Sequence, residues 1–310
     1  MERPEKAEEM IREALHAYGM ENAGYELIRQ NENITCRVDW NGTLYALRIH
    51  SPAEGFRTSI AAGGESDAEL FRSETELLLH MGRNGLEGLQ EPVPNLAGEY
   101  VTEMENGVPA MLLSWVDGRP LTREEGEQYA EEIGSLACRI HRAAGDFTGK
   151  RLRYDNALSD RMIGEIRRAV SLQHISEDAG RICIRELEAV KALQTRLETR
   201  TAPTVIHADL GLDNILITDR GLIPIDFSLS GYASLAQEAG MLLSNYQEEG
   251  TIASLLNGFA KSGEQVDAGE AEVFLSYSVL LFICSQQDRF FREEWFGDAM
   301  KRWCTTLFVH

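Results

Sequence analysis

Three polar side chains in Ile206 to Phe227 (IHADLGLDNILITDRGLIPIDF) have the types and order that phosphoryl transfer needs. Asp209 is followed five residues later by Asn214, and Asp226 stands beyond two short apolar runs. Those runs, Asn214-Ile215-Leu216-Ile217 and Leu222-Ile223-Pro224-Ile225, flank Thr218-Asp219-Arg220-Gly221, which is turn chemistry. A β-hairpin is expected, and it would fold Asp226 back beside Asp209 and Asn214. One carboxylate could then accept the proton of an attacking hydroxyl, while the amide oxygen and the other carboxylate hold Mg2+ on the phosphates.

The elements ahead of the hairpin supply the cation such a site requires. After an Asn41-Gly42 turn, Leu44 to Ile49 alternates so that Tyr45, Leu47 and Ile49 share one face, and Ala46 and Arg48 the other. Ala46 leaves room for a nucleotide base, and Arg48 carries a bidentate cation that can reach phosphates. In Leu70 to Met81, Leu70, Phe71, Leu77, Leu78 and Met81 recur at helical spacing, and Glu74 projects in the middle of that apolar stripe. A carboxylate on an apolar face needs a cation, which predicts a Glu74–Arg48 pair. Helices are expected over 4–19 and 127–144. Two more are expected within 155–200, split near Glu177-Asp178-Ala179-Gly180, with others over 235–260 and from 268 onward. Strands are expected over 25–28, 34–40, 100–102 and 110–116.

HADLGLDN, an apolar hairpin and then IDF resembles the aminoglycoside phosphotransferase and choline kinase group, the small-molecule branch of the protein-kinase-like fold. The resemblance implies an α+β, two-lobed chain. An N-terminal lobe (1–117) of antiparallel sheet plus helix would bind the nucleotide. A mostly helical lobe (118–310), with the catalytic hairpin, would bind the acceptor. It places Asp209 on the catalytic base, Asn214 and Asp226 on the metal ligands, and Arg48 where protein kinases have Lys. Backbone groups of Ser114 to Val116 would read the base of ATP or GTP. Glu238 falls near a family Asp that braces the loop, and Ser228 replaces a kinase glycine, which disfavours a flipping activation segment. The implied acceptor is a hydroxylated small molecule: an aminoglycoside or other aminosugar, choline, homoserine or methylthioribose.

Composition narrows the partners. The chain has 310 residues, 43% hydrophobic and 26% charged, which suits packed globular lobes. A formal net charge of -20 argues against nucleic acid and anionic membrane surfaces, and is compatible with a cationic acceptor. Asp155, Glu238 and Asp288, or an aromatic cage from Phe290, Phe291, Trp295, Phe296 and Trp303, are candidates to receive one. Cysteines 36, 138, 183, 284 and 304 form no Cys-x-x-Cys pair. The charged start MERPEKAEEMIREAL lacks the apolar core of a signal peptide, and no apolar run reads as a membrane span, so a cytoplasmic protein is expected. No Walker-type phosphate loop occurs, which excludes a P-loop kinase.

Three other readings compete. His207 with two Asp residues also fits a metal-dependent hydrolase, although such sites recruit several histidines. A protein Ser/Thr kinase and a catalytically silent scaffold share the implied fold. His141 is expected to be structural, and His207 to brace its loop.

Overall fold

The computed structural model describes residues 3–30, 33–51, 59–62, 64–246 and 249–285. The chain enters through α1 (Arg3–Ala17), β1 (Gly24–Gln30), β2 (Asn33–Trp40) and β3 (Thr43–His50). The β2–β3 turn places Asn41 at φ 53° and Gly42 at φ 80°, the left-handed pair that a two-residue hairpin needs. Next come α2 (Ser59–Ala62), α3 (Asp67–Arg83), β4 (Pro92–Val93), β5 (Val101–Glu103) and β6 (Pro109–Ser114). The strands form one antiparallel sheet in the order β1-β2-β3-β6, with β4 and β5 both paired to β6. Helix α3 opens with a capping box: the Ser66 hydroxyl accepts the Glu69 N–H, and the Glu69 carboxylate accepts the Ser66 N–H. α3 buries the Phe71, Leu77, Leu78 and Met81 stripe, and Glu74 with it.

The second half begins with β7 (Arg119–Pro120), α4 (Arg123–Gln128), α5 (Ala130–Ala143) and β8 (Leu152–Arg153). It continues through α6 (Asn156–Ser171), α7 (Glu177–Glu198), β9 (Thr204–Ile206), a 3-10 turn at Leu212–Asn214, β10 (Ile215–Thr218) and β11 (Gly221–Pro224). β12 (Gly231–Ala233), α8 (Leu235–Leu243), α9 (Glu249–Lys261) and α10 (Ala268–Ser285) complete it. The expected hairpin is β10–β11, in register Ile215↔Pro224 to Thr218↔Gly221, and β7 pairs along its outer side. Arg151 to Tyr154 reach the loop after the hairpin because β12 pairs with both β8 and β9. This α+β arrangement is the expected fold class.

Three features differ from the sequence expectation. The α6–α7 break lies at Leu172–Ser176, not at 177–180, because Gly180 is a packing glycine inside α7: a Cβ there would collide with Val170. Residues 235–260 hold two helices, α8 and α9, instead of one. The third is α10, which is long and apolar enough to cross a membrane by length and composition (mean hydropathy 1.4), contrary to expectation. It packs on α6, α7 and α8 through Phe274, Tyr277, Leu280 and Ile283, as a core helix does.

Helices α5 and α9 cross on glycine. A Cβ on Gly258 would collide with the Glu131 carbonyl oxygen, and one on Gly134 with the Leu255 carbonyl oxygen. Backbone cannot rotate aside, so Gly258→Ala is expected to destabilise by about 1–3 kcal/mol despite the better helix propensity of alanine. A lowered urea midpoint at unchanged m-value checks this.

Candidate active site

The hairpin brings the sequence-predicted polar groups together. Asn214 lies at the end of the 3-10 turn, and its carbonyl accepts the Ile225 N–H at 2.9 Å, next to Asp226. Its side-chain Nδ2 donates to the Asp209 carboxylate at 2.8 Å and to the Asp209 carbonyl at 2.9 Å. That leaves the amide oxygen of Asn214 as the atom available to a cation. Asp209 itself is exposed, while Asn214 is buried.

His207 fixes this loop from beneath. It is fully buried, and burial lowers its pKa to about 4, so the ring is neutral. Nε2 lies 3.0 Å from the Ile225 carbonyl, which can only accept, so Nε2 carries the hydrogen. Nδ1 is then an acceptor, and it receives the Asp209 N–H at 3.3 Å. With both nitrogens engaged inside the loop, His207 is a brace and not a metal ligand, which removes the hydrolase reading.

Glu238 completes the support. From α8 it accepts the His207 N–H at 2.5 Å and the Ala208 N–H at 3.3 Å. Burial pushes its carboxyl from 4.5 up to about 7, against the two amide bonds that lower it. The folded chain therefore holds a proton that the unfolded chain has lost between those values. The associated stability is fully present below about pH 4.5 and is lost as pH rises to about 7. Glu238→Gln keeps an acceptor oxygen and cannot ionise, so it should gain on the wild type across that window. Denaturant titrations at several pH values check this, and a difference that stays constant with pH overturns it.

Asp226 is held at φ 61°, left-handed and unusual for a residue with a Cβ. Its Oδ1 accepts from Arg48 Nη1 at 3.2 Å and from the Ser228 hydroxyl at 2.7 Å; its Oδ2 accepts from Arg29 Nη2 at 2.9 Å. Burial alone would raise its pKa, but Arg48, then Ser228 and Arg29, outweigh it and hold the carboxyl below its ordinary value. Arg48 pairs with Glu74 through its other terminal nitrogen, and its guanidinium stacks 5.1 Å above the Phe71 ring. The predicted strand-to-helix pair is present and buried, with 6% of the Arg48 side chain and 3% of the Glu74 side chain exposed.

Ala46 sits buried on β3 between Arg37 of β2 and Leu113 of β6. At the end of β6, Ser114 donates its N–H to the Glu91 carbonyl at 2.8 Å, and its carbonyl accepts from Gln90 at 3.3 Å. Val116 makes no backbone hydrogen bond among the described residues. The Trp115 N–H is donated to the Leu44 carbonyl at 3.3 Å, so of the segment expected to read a base, Val116 is the residue with both backbone groups unengaged among the described residues.

The carboxylates expected to face a cationic acceptor are used elsewhere: Asp155 caps α6 by accepting the Leu158 N–H, and Glu238 braces the loop. Asp288 and the five late aromatic residues lie outside the described residues. Sequence reasoning passed over Arg29 and Arg151. Arg29 was one polar residue in a strand-to-strand stretch without glycine. Arg151 alternates with Arg153, and nothing local distinguishes the buried cation from the exposed one.

Among the described residues no group of three or more His, Cys, Asp or Glu is placed to hold a metal ion. Asn214 and Asp226 nonetheless fit Mg2+, which takes hard oxygen donors and completes its octahedron with water and phosphate. A cavity of about 1020 Å3 is lined in part by Trp115, Val116, Glu91 and Arg220. None of Arg48, Asp209, Asn214 or Asp226 lines it, so the chemistry is placed by the convergent side chains and not by cavity size.

Known proteins resemble this chain in sequence family and in fold. The model of the APH family, described as "Phosphotransferase enzyme family", matches residues 27–273. A homoserine kinase of Beijerinckia indica subsp. indica is 28% identical over 155 residues, 49% of this chain and 46% of that protein. The match thus spans less than half the length of that curated relative. A microcompartment-associated aminopropanol kinase superposes with a TM-score of 0.73 at 17% identity, covering 96% of this chain and 94% of that one. An amicoumacin kinase in complex with AMP-PNP and Ca2+ gives a TM-score of 0.70 at 15% identity, with 99% and 96% covered. At these identities the structural likeness shows the fold, here that of small-molecule kinases. With a family match over most of its length, the chain belongs to the APH phosphotransferase enzyme family.

Proposed function

We propose that this protein transfers the γ-phosphoryl group of ATP (or GTP) to a hydroxyl of a small cationic molecule, an amino alcohol or aminosugar. The observation that carries the reading is the convergence of Asp209, Asn214 and Asp226 at the ends of one hairpin, with Arg48 spanning Asp226 and Glu74. The acceptor oxygen attacks the γ-phosphorus as its proton passes to the Asp209 carboxylate. The bond from that phosphorus to the β–γ bridging oxygen breaks, and the nucleoside diphosphate leaves with the electron pair. Arg48, fixed by Glu74, neutralises charge on the phosphates. Mg2+, held by the Asn214 amide oxygen and Asp226, would shield the phosphate charge. Ala46 would face the base and Val116 would offer it backbone hydrogen bonds, with Ser114 shaping the turn beside it.

Residues 1–117 would act as the nucleotide lobe and 118–310 as the catalytic and acceptor lobe, with the linker between them. A cationic acceptor is supported by the net charge of -20 and by the amino alcohol named for one of the structural relatives, the aminopropanol kinase. Cys36, Cys138 and Cys284 are free and buried, which supports placement in the reducing cytoplasm.

ADP release with Mg2+-ATP across a panel of amino alcohols and aminosugars tests the reading. One or more compounds should stimulate release. If none does and Mg2+-ATP also fails to bind, the reading falls.

A further inference from the structure

We propose that Arg151 is a positioning residue for phosphoryl transfer. Its single guanidinium ties the loop carrying Asp226 to the helix carrying Glu74, and so sets the spacing across which Arg48 reaches both carboxylates. This rests on the function proposed above.

Arg151 is buried, with 4% exposure, and makes no ion pair among the described residues. A buried cation without a carboxylate persists only when hydrogen bonds satisfy it. Here four carbonyls do so. Nε donates to Ser230 at 3.1 Å, Nη1 to Leu70 at 2.9 Å, and Nη2 to Phe227 at 2.6 Å and Ser228 at 2.9 Å.

The positions of those carbonyls carry the inference. Phe227 and Ser228 directly follow Asp226, whose left-handed backbone persists only where its surroundings over-determine it. Leu70 lies on α3 one helical turn before Glu74, so its carbonyl reports the height of the turn that presents that carboxylate. Arg48 then needs Asp226 and Glu74 at a fixed separation, because its two terminal nitrogens serve one each. Arg151 supplies that separation from beneath. The planar fork is essential, since a lysine ammonium is a point donor and cannot span carbonyls on two elements. Neighbouring contacts among the described residues lack this reach: Tyr154 Oη donates to the Leu229 carbonyl, and the Ser73 hydroxyl to the Lys150 carbonyl.

The test compares Arg151→Lys, Ser230→Ala and Ser73→Ala by two binding measurements that need no turnover. Mn2+ affinity is read by EPR in the presence of AMP-PNP, and AMP-PNP affinity is read alone in EDTA. Arg151→Lys should weaken Mn2+ binding by about tenfold or more, as loss of a residue that orients a metal ligand does, with metal-free AMP-PNP affinity nearly unchanged. Ser230→Ala removes the hydroxyl that shares the Phe227 carbonyl with Arg151. It should give a shift of the same sign, about threefold, and it carries the test if Arg151→Lys does not fold. The Ser73 hydroxyl ties the same helix to Lys150 without touching the Asp226 loop, and Ser73→Ala should leave Mn2+ affinity alone. Unchanged Mn2+ affinity in Arg151→Lys overturns the proposal. So does a parallel loss of metal-free nucleotide binding, or an equal shift in Ser73→Ala, since each reports general loosening. Failure of the wild type to bind Mn2+ with AMP-PNP would instead remove the proposed function, and this inference with it.

Discussion

Asp209→Asn is expected to lower kcat by about 10^3-fold while leaving Mg2+-nucleotide affinity nearly unchanged. The substitution is nearly isosteric and removes only the capacity to take a proton. Asn214 Nδ2 donates to both the Asp209 carboxylate and its carbonyl, and His207 Nδ1 accepts its N–H, so backbone contacts hold the residue in place after the change. The nucleotide would bind through Arg48, Asp226 and the Val116 backbone, none of which the substitution alters. Steady-state kinetics beside calorimetric titration of Mg2+-AMP-PNP separates the two quantities. If turnover survives the change, Asp209 is not the base. If turnover was never present and nucleotide still binds, the silent-scaffold reading leads.

Glu74→Gln should damage stability and activity together. Glu74 is 2% exposed and pairs with Arg48, which is 5% exposed. Removing one partner of a buried ion pair typically costs about 3–5 kcal/mol, because it leaves the other charge uncompensated. Arg48 retains Asp226 at 3.2 Å, so the low end of that range is expected. Without Glu74 the guanidinium is drawn wholly onto Asp226, away from the phosphates and against the carboxylate proposed to hold the metal. A loss of about 10^2-fold in kcat/KM follows from such misplacement. Urea unfolding and kinetics on one preparation check both, and a variant as stable as the wild type would show that the pair is not the buried anchor described here.

Much of the site was legible because its signals are local. The Asp209, Asn214 and Asp226 order survives in the structure because a tight turn between two apolar runs leaves the chain one compact way to fold back. Glu74 was legible because helical periodicity placed a carboxylate in the middle of an apolar stripe, and only a cation could satisfy it. The capping box at Ser66 and Glu69, which fixes where that helix begins, emerged only with the structure.

The amino-acid sequence by itself thus determined the residue types of the site, the hairpin, and the Arg48–Glu74 pair. Tertiary structure decided which further groups hold them. Arg151 meets carbonyls 76 to 81 residues away in sequence, and Glu238 meets the His207 loop 30 and 31 residues back. Contacts of that kind follow from β8, β9 and β12 pairing through two or three residues each, too short to leave a periodic pattern. The break before α7 was misplaced for a related reason: Gly180 looks like a helix breaker until its neighbour Val170 is in view. Ser114 likewise appeared free to read a base until Gln90 and Glu91 were seen to occupy its backbone groups. Period and propensity report which face a side chain presents, whereas burial of a cation or engagement of a carbonyl depends on what another part of the chain brings to that face.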